Sequence, residues 1–283
     1  AHRSQYKMLG ANLDKGIPNA AKIGYTGTPI DKTERVFGDY IDKYTMRQAI
    51  DDGVTLEIVY EGRTHNAEVP DQAGMDQAFA DMFSDYNLQE RLEILGYGSR
   101  DAYLEAESTI EAKAKDMVDH YLTHVFPNGY KAQVVATSRE AAVRYKKYID
   151  AALKAKIEDL QKANPGGLDI EQLKRMQSDV IISGGHNDLP HLKEYSDSSK
   201  HERSIKSFKL SFGGKDEGVT GDMGILIVNN MLITGFDAPV EQVMYLDKVI
   251  TDHNLLQAIA RVNRVGGDTK DKGFVVDYVG VGH

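Results

Sequence analysis

A chain of 283 residues, 41% hydrophobic and 27% charged, is long enough for one large core or two smaller ones, and its ordinary globular composition excludes disordered, collagenous and fibrous classes. The absence of cysteine excludes disulfides, thiolate zinc sites and a cysteine nucleophile, and makes a reducing cytoplasm the expected compartment. A net charge of -9 speaks against nucleic-acid binding only until its distribution is read: Asp71 to Asp119 holds 12 acidic against 4 basic residues, whereas Phe126 to Lys215 holds 16 basic against 11 acidic. That basic stretch suits either a DNA backbone or a plain solvated face.

No apolar run approaches the roughly 18 residues of a membrane-spanning helix, so no membrane role is expected. The opening, Ala1 to Tyr6, has neither an initiating methionine nor the apolar core of a signal peptide, and reads as a cut from a longer protein. Lys22-Ile23-Gly24-Tyr25 has a short strand pattern that stops at Thr26-Gly27-Thr28-Pro29. Val54 to Tyr60 is rich in β-branched and aromatic residues and predicts a further strand. Met75, Phe79, Met82 and Phe83, then Ile110, Ala114, Met117, Val118, Tyr121, Leu122 and Val125, recur at helical spacing, so the acidic stretch of about 71–125 predicts a helical insertion pointing away from any bound DNA.

From Gln133 onward, apolar runs alternate with helical patterns. The runs are Val134–Ala136, Val180–Ile182, Ile225–Val228, Val243–Leu246 and Phe274–Val276; one long helix is marked by Tyr145, Ile149, Leu153, Ile157 and Leu160, and a shorter one by Ile205 and Phe208. Strands that are apolar throughout and joined by crossover helices predict an α/β fold, a doubly wound parallel sheet covered on both faces. Ligands of such sheets are expected beyond the carboxyl ends of the strands. The segments around Asn164–Gly167 and Gly213–Gly221 read as ordinary loops.

Three short segments carry chemistry. In Asp252 to Arg264, Asp252 is a candidate N-cap, and a helix running the whole length would bring Gln257, Arg261 and Arg264 onto one face. Two guanidiniums without an acidic partner in the segment read either as a solvated helix end favoured by the dipole or as a site for a polyphosphate. Thr234-Gly235-Phe236-Asp237-Ala238-Pro239 reads as a plain turn or as a glycine that admits a ligand, with a carboxylate to orient it. Thr26, Gly27 and Thr28 read as a capped turn or as hydroxyls lining a cleft. His186, His191 and His201 lack tight ligand spacing, and no metal site is expected.

In this order the segments resemble the later motifs of superfamily 2 helicases and translocases, most closely the R subunit of type I restriction enzymes. Thr26 to Pro29 resembles motif III, Gln133 to Arg139 motif IV, Thr234 to Pro239 motif V and Gln257 to Arg264 motif VI; Ala1 to Gln5 resembles the tail of motif II. The resemblance implies a RecA-like fold, with 1–38 the remnant of a first lobe and 39–283 a second lobe. It also implies an ATP-driven pump of double-stranded DNA that works with modification and specificity subunits. Arg264 would be an arginine finger with Arg261 and Gln257 beside it, while Gly235, Asp237 and His2 would line the nucleotide. Thr26, Gly27 and Thr28 would couple nucleotide state to DNA grip, and Thr137, Ser138, Arg139 and Thr234 would contact DNA. ATP and Mg²⁺ are the implied cofactors, although neither a Gly-x-x-x-x-Gly-Lys-Ser/Thr loop nor the Asp-Glu of motif II occurs here, so the isolated chain is expected to be inactive. Asn263 departs from the glycine common at its position. A repair or remodelling translocase, and a non-catalytic docking module for other subunits, are the alternative readings.

Overall fold

The computed structural model describes residues 11–12, 15–21, 23–25, 39–63, 104–163, 168–233, 235–250, 252–267 and 269–279. Strands β1 (Glu57–Gly62), β2 (Lys131–Ala136), β3 (Gln177–Ile181), β6 (Met223–Val228), β7 (Glu241–Asp247) and β8 (Lys272–Asp277) form one sheet in the order β1-β8-β7-β2-β6-β3. Every pairing in it is parallel. All residues of β2, β6 and β7 are buried, which explains why the runs Val134–Ala136, Ile225–Val228 and Val243–Leu246 within them are apolar without alternation.

Helices cover both faces. On one side, α2 (Glu107–His124) and α3 (Arg139–Ala163) bring Ile110, Met117, Tyr121, Tyr145 and Ile149 against Val134, Ile227 and Tyr245. On the other, α6 (Ser198–Lys209) and α7 (Asp252–Val262) bring Phe208, Ala258 and Val262 against Val135, Leu226 and Met244. Shorter helices α1 (Met46–Asp51), α4 (Ile170–Arg175) and α5 (Pro190–Lys193) join these elements. The predicted α/β parallel sheet is therefore present, and β1 is the strand expected in Val54–Tyr60.

Three expectations need correction. Ile23 to Tyr25 is not strand; a strand is made by pairing, and no pairing reaches these residues among those described. The loop from Gly213 to Gly221 contains a small antiparallel hairpin, β4 (Lys215–Asp216) with β5 (Val219–Thr220). The acidic stretch of 71–125 is helical where it is described, but α2 does not project: Ile110 and Tyr121 are fully buried and form part of the sheet's cover. Residues 71–103 lie outside the described residues.

Two buried lysines were hidden in the charge counts. Lys113 Nζ on α2 lies 2.5 Å from Asp247 Oδ1 at the end of β7, while Tyr145 OH on α3 donates to Asp247 Oδ2 at 2.6 Å, so one carboxylate ties two helices to the sheet. Such a pair satisfies its own charges, and breaking either half would strand the other. Lys131 Nζ donates to the carbonyls of Ser207 and Gly221, at 3.0 and 3.1 Å, and burial lowers its pKa to about 7. At the open edge of β3, Lys146 Nζ donates to the Ser178 carbonyl at 2.8 Å, and the Val180 amide donates to Asp179 Oδ1 at 2.8 Å.

His120 of α2 is buried, with Nδ1 2.8 Å from Tyr245 OH, whose proton goes to the Met117 carbonyl at 3.1 Å. Nδ1 therefore donates, and Nε2 has no partner among the described residues. Burial lowers the His120 pKa from 6.5 to about 4. The unfolded chain thus binds this proton more readily, so the stability due to neutral His120 is complete above pH 6.5 and is lost as the pH falls towards 4. Between pH 7.5 and 5 this costs about 2 kcal/mol. His120→Phe should reduce the fall of the unfolding free energy from urea titrations over that interval by this amount; an unchanged fall would show that His120 does not titrate with unfolding.

Candidate functional site

Because the strands are parallel, the sheet has one amino-terminal edge and one carboxyl-terminal edge, and the predicted site residues divide between them. Segment 229–240 leaves the carboxyl end of β6 and returns to the amino end of β7, turning at Gly235, whose φ of +74° is the left-handed conformation that favours glycine. Phe236 and Ala238 anchor this segment in the core and leave Asp237 exposed. Helix α7 runs back along β7 and ends at Val262, not at Arg264. Arg264 instead bridges Thr55, and Leu56 N donates to the Asn263 carbonyl at 2.7 Å, immediately before β1 begins. The helical phase that would align Arg264 with Gln257 is broken by this pairing. Asn263 does not adopt the left-handed conformation, so no glycine is required there.

Arg261 and Arg264 nevertheless converge, on the turn and not along a helix face. Arg264 Nη1 forms an ion pair with Asp237, and Arg261 Nη1 donates to the Phe236 carbonyl. The acidic partner absent from the segment comes from the other one. Arg261 Nε is buried without a hydrogen-bond partner, and burial followed by the charge of Arg264 lowers the Arg261 pKa. A guanidinium with an unused donor beside a second, partly exposed guanidinium is a donor set for an anion with several oxygens.

Two residues here were not visible as functional in the sequence. Glu241 opens an apolar strand, and both its carboxylate oxygens are buried without a partner; burial raises its pKa to about 8 against the pull of Lys270, Arg261 and Arg264. Lys270, in a run that reads as a charged turn, is buried, and its Nζ donates to three carbonyls, those of Pro239, Glu241 and Arg264. The only hint was an acid at the head of an apolar strand; nothing in the Lys270 segment marks burial.

Thr137, Ser138 and Arg139 lie at the opposite edge, just past the carboxyl end of β2. Strands of six residues at about 3.3 Å each set the two edges roughly 20 Å apart. Ser138 Oγ accepts from Ala141 N at 3.1 Å and caps α3. Thr137 gives its carbonyl to Asn229 Nδ2 at 2.9 Å. Arg139 is paired with Asp188 at 2.6 Å and donates to the Ser183 carbonyl at 3.0 Å, so its charge is already met within the chain. His191 Nε2 lies 2.7 Å from Glu140, and His201 Nε2 2.7 Å from the Tyr195 carbonyl. An open concavity of about 620 Å³ lies between α3 and β3, with Lys146, Lys154 and Lys174 balanced by Asp150 and Glu158; it is lined by none of the predicted site residues. His2, Thr26, Gly27, Thr28, Thr234 and the side chain of Gln257 lie outside the described residues.

The family model for domain 3 of the type I restriction enzyme subunit R matches residues 128–280, more than half of the chain. The chain belongs to the type I restriction enzyme R subunit family. A second model, SWI2/SNF2 ATPase, matches residues 1–92. The HindI endonuclease subunit of Haemophilus influenzae is 31% identical over 99% of this chain and 26% of its own length. A protein of Methanocaldococcus jannaschii assigned as the type I restriction enzyme MjaVIIP endonuclease subunit is 34% identical over 99% of the chain and 27% of its own. The chain thus spans about a quarter of the length of these R-subunit relatives. A solved fragment assigned as the HsdR subunit of a type I restriction enzyme from Vibrio vulnificus YJ016 shares the fold, with a TM-score of 0.56 and 19% identity over 90% of this chain and 39% of that one. The fold is that of a RecA-like lobe. No helix among the described residues is long and apolar enough to cross a membrane.

Gly266 packs its Cα against the segment 229–240 so closely that an added Cβ would lie 2.4 Å from the Pro239 carbonyl oxygen. Gly266→Ala should therefore lower stability by about 1–3 kcal/mol, measured by thermal unfolding, because backbone on both sides must shift. A melting temperature equal to wild type would show that the two segments are free to separate.

Proposed function

We propose that this chain supplies motifs III to VI of the ATP-driven, DNA-translocating motor of a type I restriction enzyme R subunit. The observation that carries the reading is the meeting of Arg261 and Arg264 with Phe236 and Asp237, two segments well apart in sequence. Two cations, one with an unsatisfied buried donor, fit the charge of a nucleotide polyphosphate. Bound there together with Mg²⁺, ATP supplies the phosphoryl transfer that drives such a motor. Arg264 and Arg261 would hold their charge where negative charge develops, Gln257 beside them, with Gly235 admitting close approach and Asp237 holding Arg264 in readiness. His2, Thr26, Gly27 and Thr28 would face the same cleft from the first lobe.

The boundary between lobes is proposed near residue 38. What supports it is that β1 pairs along its whole length with β8, although the SWI2/SNF2 match extends over β1 to residue 92. Thr137, Ser138 and Thr234 would meet double-stranded DNA through phosphate contacts that read no sequence, as a translocase requires. Arg139 would do so only by exchanging Asp188 for a phosphate, and otherwise positions the turn. Modification and specificity subunits are the proposed partners.

In the complete R subunit, Arg264→Ala should leave ATP binding nearly intact while turnover falls by about 10³ to 10⁵, the range for arginines that act on a transferring phosphoryl group. Arg264→Lys should recover little, since an ammonium lacks the planar fork. Turnover of Arg264→Ala within a few-fold of wild type would make Arg264 a structural partner of Asp237 and remove the motor reading of this site.

A further inference from the structure

Lys270 stands in the loop between α7 and β8, and only 5% of its surface is exposed. Its Nζ donates to the carbonyls of Pro239 at 3.0 Å, Glu241 at 2.6 Å and Arg264 at 2.8 Å. An ammonium has three protons, and here each has an acceptor. Two of the acceptors belong to the segment that carries Asp237, and the third is the main chain of Arg264 itself. The backbones of the two arginine-site segments are therefore joined by one side chain. Tyr130 adds to the join: its OH donates to the Gly266 carbonyl at 2.7 Å and lies 2.9 Å from Thr269 Oγ1. Gly266 in turn rests on Pro239 with no room for a Cβ.

Removing the ammonium would take from three inward-facing carbonyls the donor they share, a cost that separation of the segments and entry of water would relieve. That separation would move Arg264 away from Asp237 and Phe236. We propose that Lys270 is a positioning residue that fixes the Arg264 backbone against the Asp237 segment, so that the guanidinium is delivered in one place. It acts through Arg264 and, being buried, does not touch nucleotide. The proposal rests on the reading of Arg264 as the arginine that acts on ATP.

The test uses the complete R subunit with Lys270→Met, Tyr130→Phe and Arg264→Ala, singly and with each of the first two combined with the third. Steady-state ATP turnover and thermal unfolding are measured on each. Lys270→Met should lower kcat by about 10- to 100-fold and leave KM within about threefold, while Tyr130→Phe should lower kcat by about threefold. Combined with Arg264→Ala, neither should slow turnover further, because a residue that acts through Arg264 has nothing left to act on. Folded Lys270→Met at wild-type kcat, or a double variant slower than Arg264→Ala alone, overturns the proposal. If Lys270→Met does not fold, Tyr130→Phe decides: wild-type turnover overturns the proposal, and a fall absorbed by Arg264→Ala supports it. Wild-type turnover of Arg264→Ala alone instead removes the underlying reading of the site, and the proposal with it.

Discussion

All six strands of the main sheet point the same way, and this single constraint decides where chemistry can be placed. Each crossover must carry the chain back along the sheet, so residues that follow a strand and residues that precede the next one reach opposite edges. Thr137 to Arg139 follow β2 and fall at the carboxyl edge. Asp237 and the segment from Arg261 to Arg264 are reached only after return crossings and fall at the amino edge. Two predicted groups of site residues, similar in polar character, are thereby assigned to different surfaces of one lobe, with a fully packed sheet between them. The general expectation that ligands gather beyond the carboxyl ends of strands does not describe the arginine pair.

The buried charges follow from the same geometry. A strand covered on both faces leaves no solvent for a lysine or a carboxylate at its ends, so such a group either finds partners within the fold or, like Glu241, is pushed towards its neutral form. Asp247 gathers Lys113 and Tyr145, Lys131 gathers two carbonyls, and Lys270 gathers three. These contacts link helices to strand ends and hold the loops that carry the candidate site. Breaking one would disturb the placement of a loop as well as the stability of the core.

The strands were legible because doubly covered strands are apolar without alternation, a pattern that no surface element shares. Helices α2, α3 and α6 were legible from their apolar spacing. The end of α7 was not: helical spacing continues through Asn263 and Arg264, and what stops the helix is Leu56, a residue more than two hundred positions away that takes the Asn263 carbonyl. Ile23 to Tyr25 failed for the complementary reason, since a strand-like composition makes no strand without pairing, and none reaches them among the described residues. The acidic count over 71–125 concealed that α2 turns an apolar face inward and buries Lys113 with it, so net charge described its exposed face and not its place. Arg261 and Arg264 were identified from the sequence as a pair of cations, but Asp237 as their partner could be found only in three dimensions.

At the β3 edge, the Ser178 carbonyl and the Val180 amide point away from β6, yet Lys146 and the adjacent Asp179 already occupy them. A free sheet edge invites a further strand from any extended peptide, including another copy of the same chain, and long rows of such additions are the route to insoluble fibres. Two side chains thus occupy one carbonyl and one amide of this edge. At this edge the lobe therefore offers an incoming strand fewer open main-chain groups than a bare strand would.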